Sequence, residues 1–162
     1  MRVRMAVAAD AGALMAVINA AFVVERFFID GDRVNLEMVR AFLDKGEFLI
    51  AGDDTSDDSG EGNGVAACVY VEVRGERGYL GLLSVDPVRQ KAGLGRLLVE
   101  AAEEHCRTRG CRAMDLRVVN VRAELPAFYR RLGYAENGTE EFPAEEATKL
   151  ACHFLKMTKA IG

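Results

Sequence analysis

The 162-residue sequence has no surplus of positive charge: 21 Lys and Arg stand against 25 Asp and Glu, a formal net charge of −4. Phosphate contacts need Lys and Arg in excess on one face, so nucleic acid is excluded as a main partner. No long apolar run is visible, so no segment is expected to span a bilayer and no membrane partner is expected. The first ten residues carry arginines but no apolar stretch of signal-peptide length, which makes the cytoplasm the expected compartment. The four cysteines, Cys68, Cys106, Cys111 and Cys152, show neither CxxC nor Cys/His ligand spacing. A chain of this length does not need disulfide staples, so they read as reduced thiols, mostly small core hydrophobes. No metal site is expected, and no internal repeat is present.

What remains is the composition of a folded globular chain, with 50% of residues hydrophobic and 28% charged. Its length suits one domain over residues 1–162, built around a single core. Residues 2–7 read as a short strand. Asp10 is placed to cap a helix with the stripe Leu14, Val17, Ile18 and Ala21. A second helix starts at Asn35, carries Leu36, Val39, Phe42 and Leu43 on one side, and closes at Lys45 and Gly46. Residues 48–51 form a strand. The segment 53–63, DDTSDDSGEGN, is an acidic, solvated loop without the spacing of a calcium loop. Residues 64–73 and 79–85 form an antiparallel hairpin across a turn at 75–78. A helix over 93–109 has the stripe Leu94, Leu97, Leu98, Ala101, Ala102 and His105, with Gly110 at its end. A strand over 114–119, a short helix from about Pro126 to Leu132, and strands over 134–138 and 151–158 complete the chain. The unit from 79 to 119 is expected to cross over between parallel neighbours.

The most informative segment is 83–98, LSVDPVRQKAGLGRLL. An apolar strand ends at Asp86-Pro87, and a basic, glycine-containing turn leads straight into a helix. Helix N-termini carry unpaired N–H groups and partial positive charge, so they bind phosphate. Gly93 and Gly95 let a ligand approach the backbone, and Arg89, Lys91 and Arg96 add positive charge. The segment points to an anionic ligand, a diphosphate above all. It lacks the Gly-Lys-Ser/Thr ending of a Walker loop and the glycine spacing of a dinucleotide fingerprint.

Gln90-Lys91-Ala92-Gly93-Leu94-Gly95 resembles the Q/R-x-x-G-x-G/A phosphate turn of the GNAT superfamily of acyl-CoA-dependent N-acyltransferases. Phe128-Tyr129-Arg130-Arg131-Leu132-Gly133-Tyr134 resembles that family's aromatic-rich helix, in the right order and about one strand–helix unit downstream. The resemblance covers about 64–138. It implies an α/β (α+β) fold: a mixed, mostly antiparallel sheet of six to seven strands flanked by helices, with one parallel pair splayed into a V. It implies an acyltransferase that moves acetyl from acetyl-CoA, its cosubstrate, to a primary amine by direct attack in a ternary complex. The acceptor is a small-molecule or peptide amine that the sequence does not identify, and the oligomeric state stays open, a homodimer included. A coenzyme A-binding regulatory module without turnover is the alternative.

By the same resemblance, the backbone of Gln90, Lys91, Ala92, Gly93, Leu94, Gly95 and Arg96 holds the pyrophosphate. Leu83, Ser84 and Val85 hold the pantetheine arm through backbone groups. Tyr129 faces the departing sulfur, where a phenol can protonate a thiolate; the alternative is a tyrosine that only packs, as Phe128 and Tyr134 do. The strand 79–84 lacks the glutamate that many members carry there, so the general base stays open between Glu25, Glu72, His153 and water. Asn120 is either a site residue or a loop residue, and Arg122 and Glu124 either line the acceptor mouth or pair on the surface.

Overall fold

The computed structural model describes residues 2–52, 64–89 and 93–162. The acidic segment 53–63, and Gln90, Lys91 and Ala92 of the basic turn, lie outside the described residues. Seven strands form one sheet in the order β1–β2–β3–β4–β5–β7–β6. They are β1 (Arg2–Met5), β2 (Glu47–Gly52), β3 (Val65–Arg74), β4 (Arg77–Val85), β5 (Ala113–Val119), β6 (Ala135–Glu141) and β7 (His153–Ala160). The helices are α1 (Ala11–Phe22), α2 (Leu36–Lys45), α3 (Leu94–Arg107) and α4 (Glu124–Arg131). The element order is the one the sequence predicts.

Each face of the sheet has its own core. On one, Leu14, Val17 and Ile18 of α1 and Val39 of α2 pack on Phe48, Ile50, Cys68 and Tyr70. On the other, Leu94, Leu98 and Ala102 of α3 and Tyr129 of α4 pack on Val69, Val71, Met114, Leu116 and Met157. The helical stretch Ala8–Phe27 is long and apolar enough to cross a membrane by length and composition, contrary to the sequence reading. It is a 3₁₀ turn, α1 and a second 3₁₀ turn in succession, and α1 buries Ala11, Leu14, Val17 and Ile18 in the core.

Local chemistry explains most element ends. Asn35 Oδ1 accepts the Met38 N–H at 2.8 Å and starts α2, and Gly46 ends it. Asp10 does not cap α1 with its side chain. Its backbone is already helical, and its carboxylate turns back to accept the Val7 N–H at 2.8 Å and both Arg4 Nη groups at 2.8 and 2.9 Å. On α3 the buried side is Leu94, Leu98, Val99, Ala102, Glu103 and Cys106, so the expected stripe through Leu97, Ala101 and His105 is turned partly outward. Glu103 is among the inward-facing residues. Its carboxylate accepts the Tyr134 hydroxyl at 2.8 Å and the Lys159 ammonium at 3.0 Å. A carboxylate buried with partners is tolerated where an unpaired one is not.

The hairpin turn is tighter than expected, Gly75 and Glu76 only, with Arg74 opposite Arg77. The last two strands run further: β6 reaches Glu141 and β7 begins at His153 and ends at Ala160. β4 and β5 are the parallel pair, and their ladder holds just three pairs: Arg77 with Ala113, Gly78 with Met114, and Tyr79 with Asp115. Beyond them β4 continues to Val85 and β5 to Val119 without pairing, so the two strands part into a V.

Candidate active site

β4 changes register where it leaves β5. Against β3, Cys68 faces Ser84 and Tyr70 faces Gly81. Val69 alone on β3 therefore opposes Leu82 and Leu83 on β4, a bulge. Leu82 sits in the left-handed region at φ 52°, which is strained for a branched side chain. Ser84 is buried, and its hydroxyl donates to the Leu82 carbonyl at 2.8 Å, clipping the bulge. The Ser84 side chain thus faces away from the opening, and what β4 offers there is backbone. Leu82, Leu83 and Val85 are only partly buried.

The strand ends in a turn. Asp86 Oδ1 accepts the Val88 N–H at 3.0 Å, and Pro87–Arg89 form a 3₁₀ turn. Gly93 then adopts φ 90° as the N-cap of α3, a conformation that costs a side chain dearly. The first helical bond is from Leu97 N–H to the Gly93 carbonyl at 2.9 Å, so the amides of Leu94, Gly95 and Arg96 have no partner within the helix. Arg96 is exposed and paired with Glu100 at 2.8 Å. The Leu94 side chain is buried in the core. A Cβ on Gly95 would come within 3.1 Å of Phe128 and 3.7 Å of Leu83. That contact brings α4 against both the start of α3 and the opened edge of β4.

Tyr129 is next along α4 and is buried, its ring 5.0 Å from Phe128 and 5.8 Å from Tyr134. Burial raises its pKa, the Tyr79 phenol adds to the rise, and Arg122 opposes it, so the phenol stays protonated at neutral pH. Buried tyrosine hydroxyls usually find a partner. Those of Tyr134 and Tyr70 donate to Glu103 and Glu72, at 2.8 and 2.7 Å. Among the described residues the Tyr129 hydroxyl has none, and it is not sealed off as an unsatisfied buried atom.

The three candidate bases separate. The Glu72 carboxylate takes Arg74 at 2.9 Å and the Tyr70 hydroxyl; the Arg74 bond is the main reason its pKa falls. His153 is exposed at the start of β7, opposite Glu141. Asn120 belongs with it: its N–H donates to the His153 carbonyl and its Oδ1 accepts the His153 N–H, both at 2.8 Å, which fastens β5 to β7. Glu25 is buried in the 3₁₀ turn Val23–Phe27 and accepts Arg122 Nη1 at 3.0 Å. Burial is the largest influence on its pKa and raises it; Arg122 pulls the other way without cancelling the rise. Arg122 also donates to Glu124 at 2.6 Å, so Glu25 is tied through one guanidinium to the first turn of the helix that carries Tyr129.

Sequence reasoning missed Leu82, Tyr79 and Arg33. The Tyr79 ring lies along β4 beneath Gly81, whose added Cβ would meet it at 3.1 Å, and Arg74 stacks on it at 4.3 Å. Arg33 lies over the Phe22 ring at 5.6 Å, and burial of its guanidinium lowers its pKa, against the pull of Glu25. The one signal that could have found Tyr79 is its place at the end of a parallel ladder, which a single sequence does not mark.

The chain matches the acetyltransferase (GNAT) family over residues 13–134. No curated protein matches it. Among solved structures, a ribosomal-protein-alanine N-acetyltransferase from Brucella melitensis superposes with a TM-score of 0.76 at 21% identity, covering 99% of each chain. Nourseothricin acetyltransferase gives 0.74 at 21% identity, over 99% of this chain and 98% of that one. A chain of the NatC complex bound to Gag peptide and CoA gives 0.72 at 17% identity over 100% of both.

Proposed function

From the premise that the chain belongs to the GNAT acetyltransferase family, we propose that it transfers acetyl from acetyl-CoA directly to a primary amine, with Tyr129 as the acid. The observation that carries this reading is the hydroxyl of a buried Tyr129, without a partner among the described residues, beside a strand pair that opens after Tyr79 and Asp115. The alternative, a coenzyme A-binding module without turnover, has no use for such a hydroxyl.

In this reading the amides of Leu94, Gly95 and Arg96, which have no partner within the helix, receive the pyrophosphate, together with Gln90, Lys91 and Ala92. The backbone of Leu83, Ser84 and Val85 hydrogen-bonds the pantetheine amides, which the parted β5 leaves free to pair. The bulge at Leu82 and Leu83 turns backbone toward the acetyl carbonyl, where charge develops as the amine attacks. Glu25, directly or through one water, takes the proton from the acceptor ammonium. The new C–N bond forms as the C–S bond breaks; Tyr129 donates its proton to the departing thiolate and regains one as the nitrogen loses its second proton on becoming the amide.

Burial also pushes the Cys68 and Cys106 thiols up to about 12, so neither is a thiolate at neutral pH. That supports direct attack over an acetyl-cysteine relay. An acceptor screen that reads free coenzyme A thiol tests the reading. Amine-dependent thiol release supports it, and tight acetyl-CoA binding with no release across the screen supports the regulatory module.

A further inference from the structure

A cavity of about 620 Å³ opens on the α1/α2 side of the sheet, lined by Arg74, Arg77, Tyr79, Asp115, Arg117 and Lys156 among others. Tyr79 and Asp115 are also the last pair of the β4–β5 ladder. The cavity therefore begins at the apex of the V, on the sheet face opposite α3 and α4. A molecule reaching the acetyl group from that face passes along it.

The charges in the cavity are uneven. Arg77 is spent: it grips Asp115 with two bonds of 2.7 Å and touches Thr158 Oγ1 at 3.0 Å. Arg74 is spent on Glu72. Arg117 pairs with Glu140 and stacks on Phe154 at 4.2 Å. Lys156 makes no ion pair or hydrogen bond among the described residues, although it stands directly across the β5–β7 ladder from Arg117. Like charges directly opposite on one sheet face are destabilising. Lys156 is exposed, and the only carboxylate its charge is felt by among the described residues is Asp115, which Arg77 already grips with two bonds. This local excess lies on a chain whose net charge is −4.

We propose that the acceptor is an amine that also carries a carboxylate, and that Lys156, beside Arg117, binds that carboxylate. This rests on the transferase reading above. A carboxylate there makes a charge-assisted bond to the Lys156 ammonium, the lining cation that has no ion pair of its own among the described residues. It also fixes which end of the acceptor reaches the V: the anionic end stays at Lys156 and the amine points past Tyr79.

The test compares L-amino acids with their primary amides, which share the amine and side chain and lack only the negative charge. Thiol release should show kcat/KM at least tenfold higher for the acids, carried by KM. Lys156→Met should collapse that ratio toward one, while Lys156→Arg preserves it. Equal or better use of the amides by the wild type overturns the proposal. A second measurement does not depend on turnover: titration of N-acetyl amino acids and N-acetyl amino acid amides in the presence of coenzyme A. The acids should bind at least tenfold tighter, and Lys156→Met should abolish the difference. If no amine releases thiol but the acids still bind through Lys156, the transferase reading fails and the site stands. If amines react and the acids bind no tighter than the amides, the site fails alone.

Discussion

At the scale of single residues, two tyrosines five positions apart on adjoining segments have different surroundings. Tyr134 donates to buried Glu103, so Tyr134→Phe should cost roughly 1.5–3 kcal/mol of stability, the range for a hydrogen bond to a charged group. Tyr129 donates to no group among the described residues, so Tyr129→Phe should melt near the wild type. Its kcat should fall by about 10²-fold, the scale of a lost general acid. Saturating kinetics and melting curves on both variants check this, and full activity in Tyr129→Phe removes the acid assignment. Glu25 makes a prediction in pH. As the proposed base it acts as the carboxylate, and burial raises its pKa. Activity should therefore be complete above that raised pKa and decline as pH falls through it. Glu25→Gln should lower kcat/KM and erase that acidic limb in a pH–rate profile; a limb that persists unchanged assigns it to another group.

At the scale of elements, the opening between β4 and β5 depends on a device no periodicity reveals. Val69 opposite both Leu82 and Leu83 is a register event between strands, whereas the sequence 79–85 reads as an unbroken apolar strand. Ser84→Ala should cost roughly 0.5–1.5 kcal/mol by leaving the Leu82 carbonyl without its clip. It should also raise KM for acetyl-CoA as the bulge slackens; an unchanged KM would mean that the bulge holds without the clip. The start of α3 was legible, because two glycines at a strand-to-helix junction carry their own reason. Gly95→Asp should abolish acetyl-CoA binding in a folded protein, measured by calorimetry, since a charge and a side chain would enter the space between Phe128 and the ligand. The rotation of α3 was not legible. Glu103 looks like a surface residue until Tyr134 and Lys159, from distant parts of the chain, are brought to it. Strand β6 was foreshortened for a related reason. AENGTEE has no apolar alternation because it is an exposed edge paired on one side only.

At the scale of the whole molecule, two cores hold one sheet, and the functional parts sit where that sheet is left incomplete. α3 and Tyr129 of α4 pack on one face of the sheet, and the cation-lined cavity opens on the other. A ligand bound only by the folded state raises stability by mass action. Acetyl-CoA at a hundredfold excess over Kd should add about 2.7 kcal/mol, or roughly 5–10 °C in Tm for a domain of this size. The measurement that reaches the central claim most directly uses acetyl-CoA labelled in its acetyl group, mixed with enzyme and an amine, and follows the label and the free thiol together by mass spectrometry. Direct transfer predicts one N-acetylated amine per thiol released, and no label on the protein when the amine is omitted. Label on a cysteine, or thiol released without an acetylated amine, would contradict it.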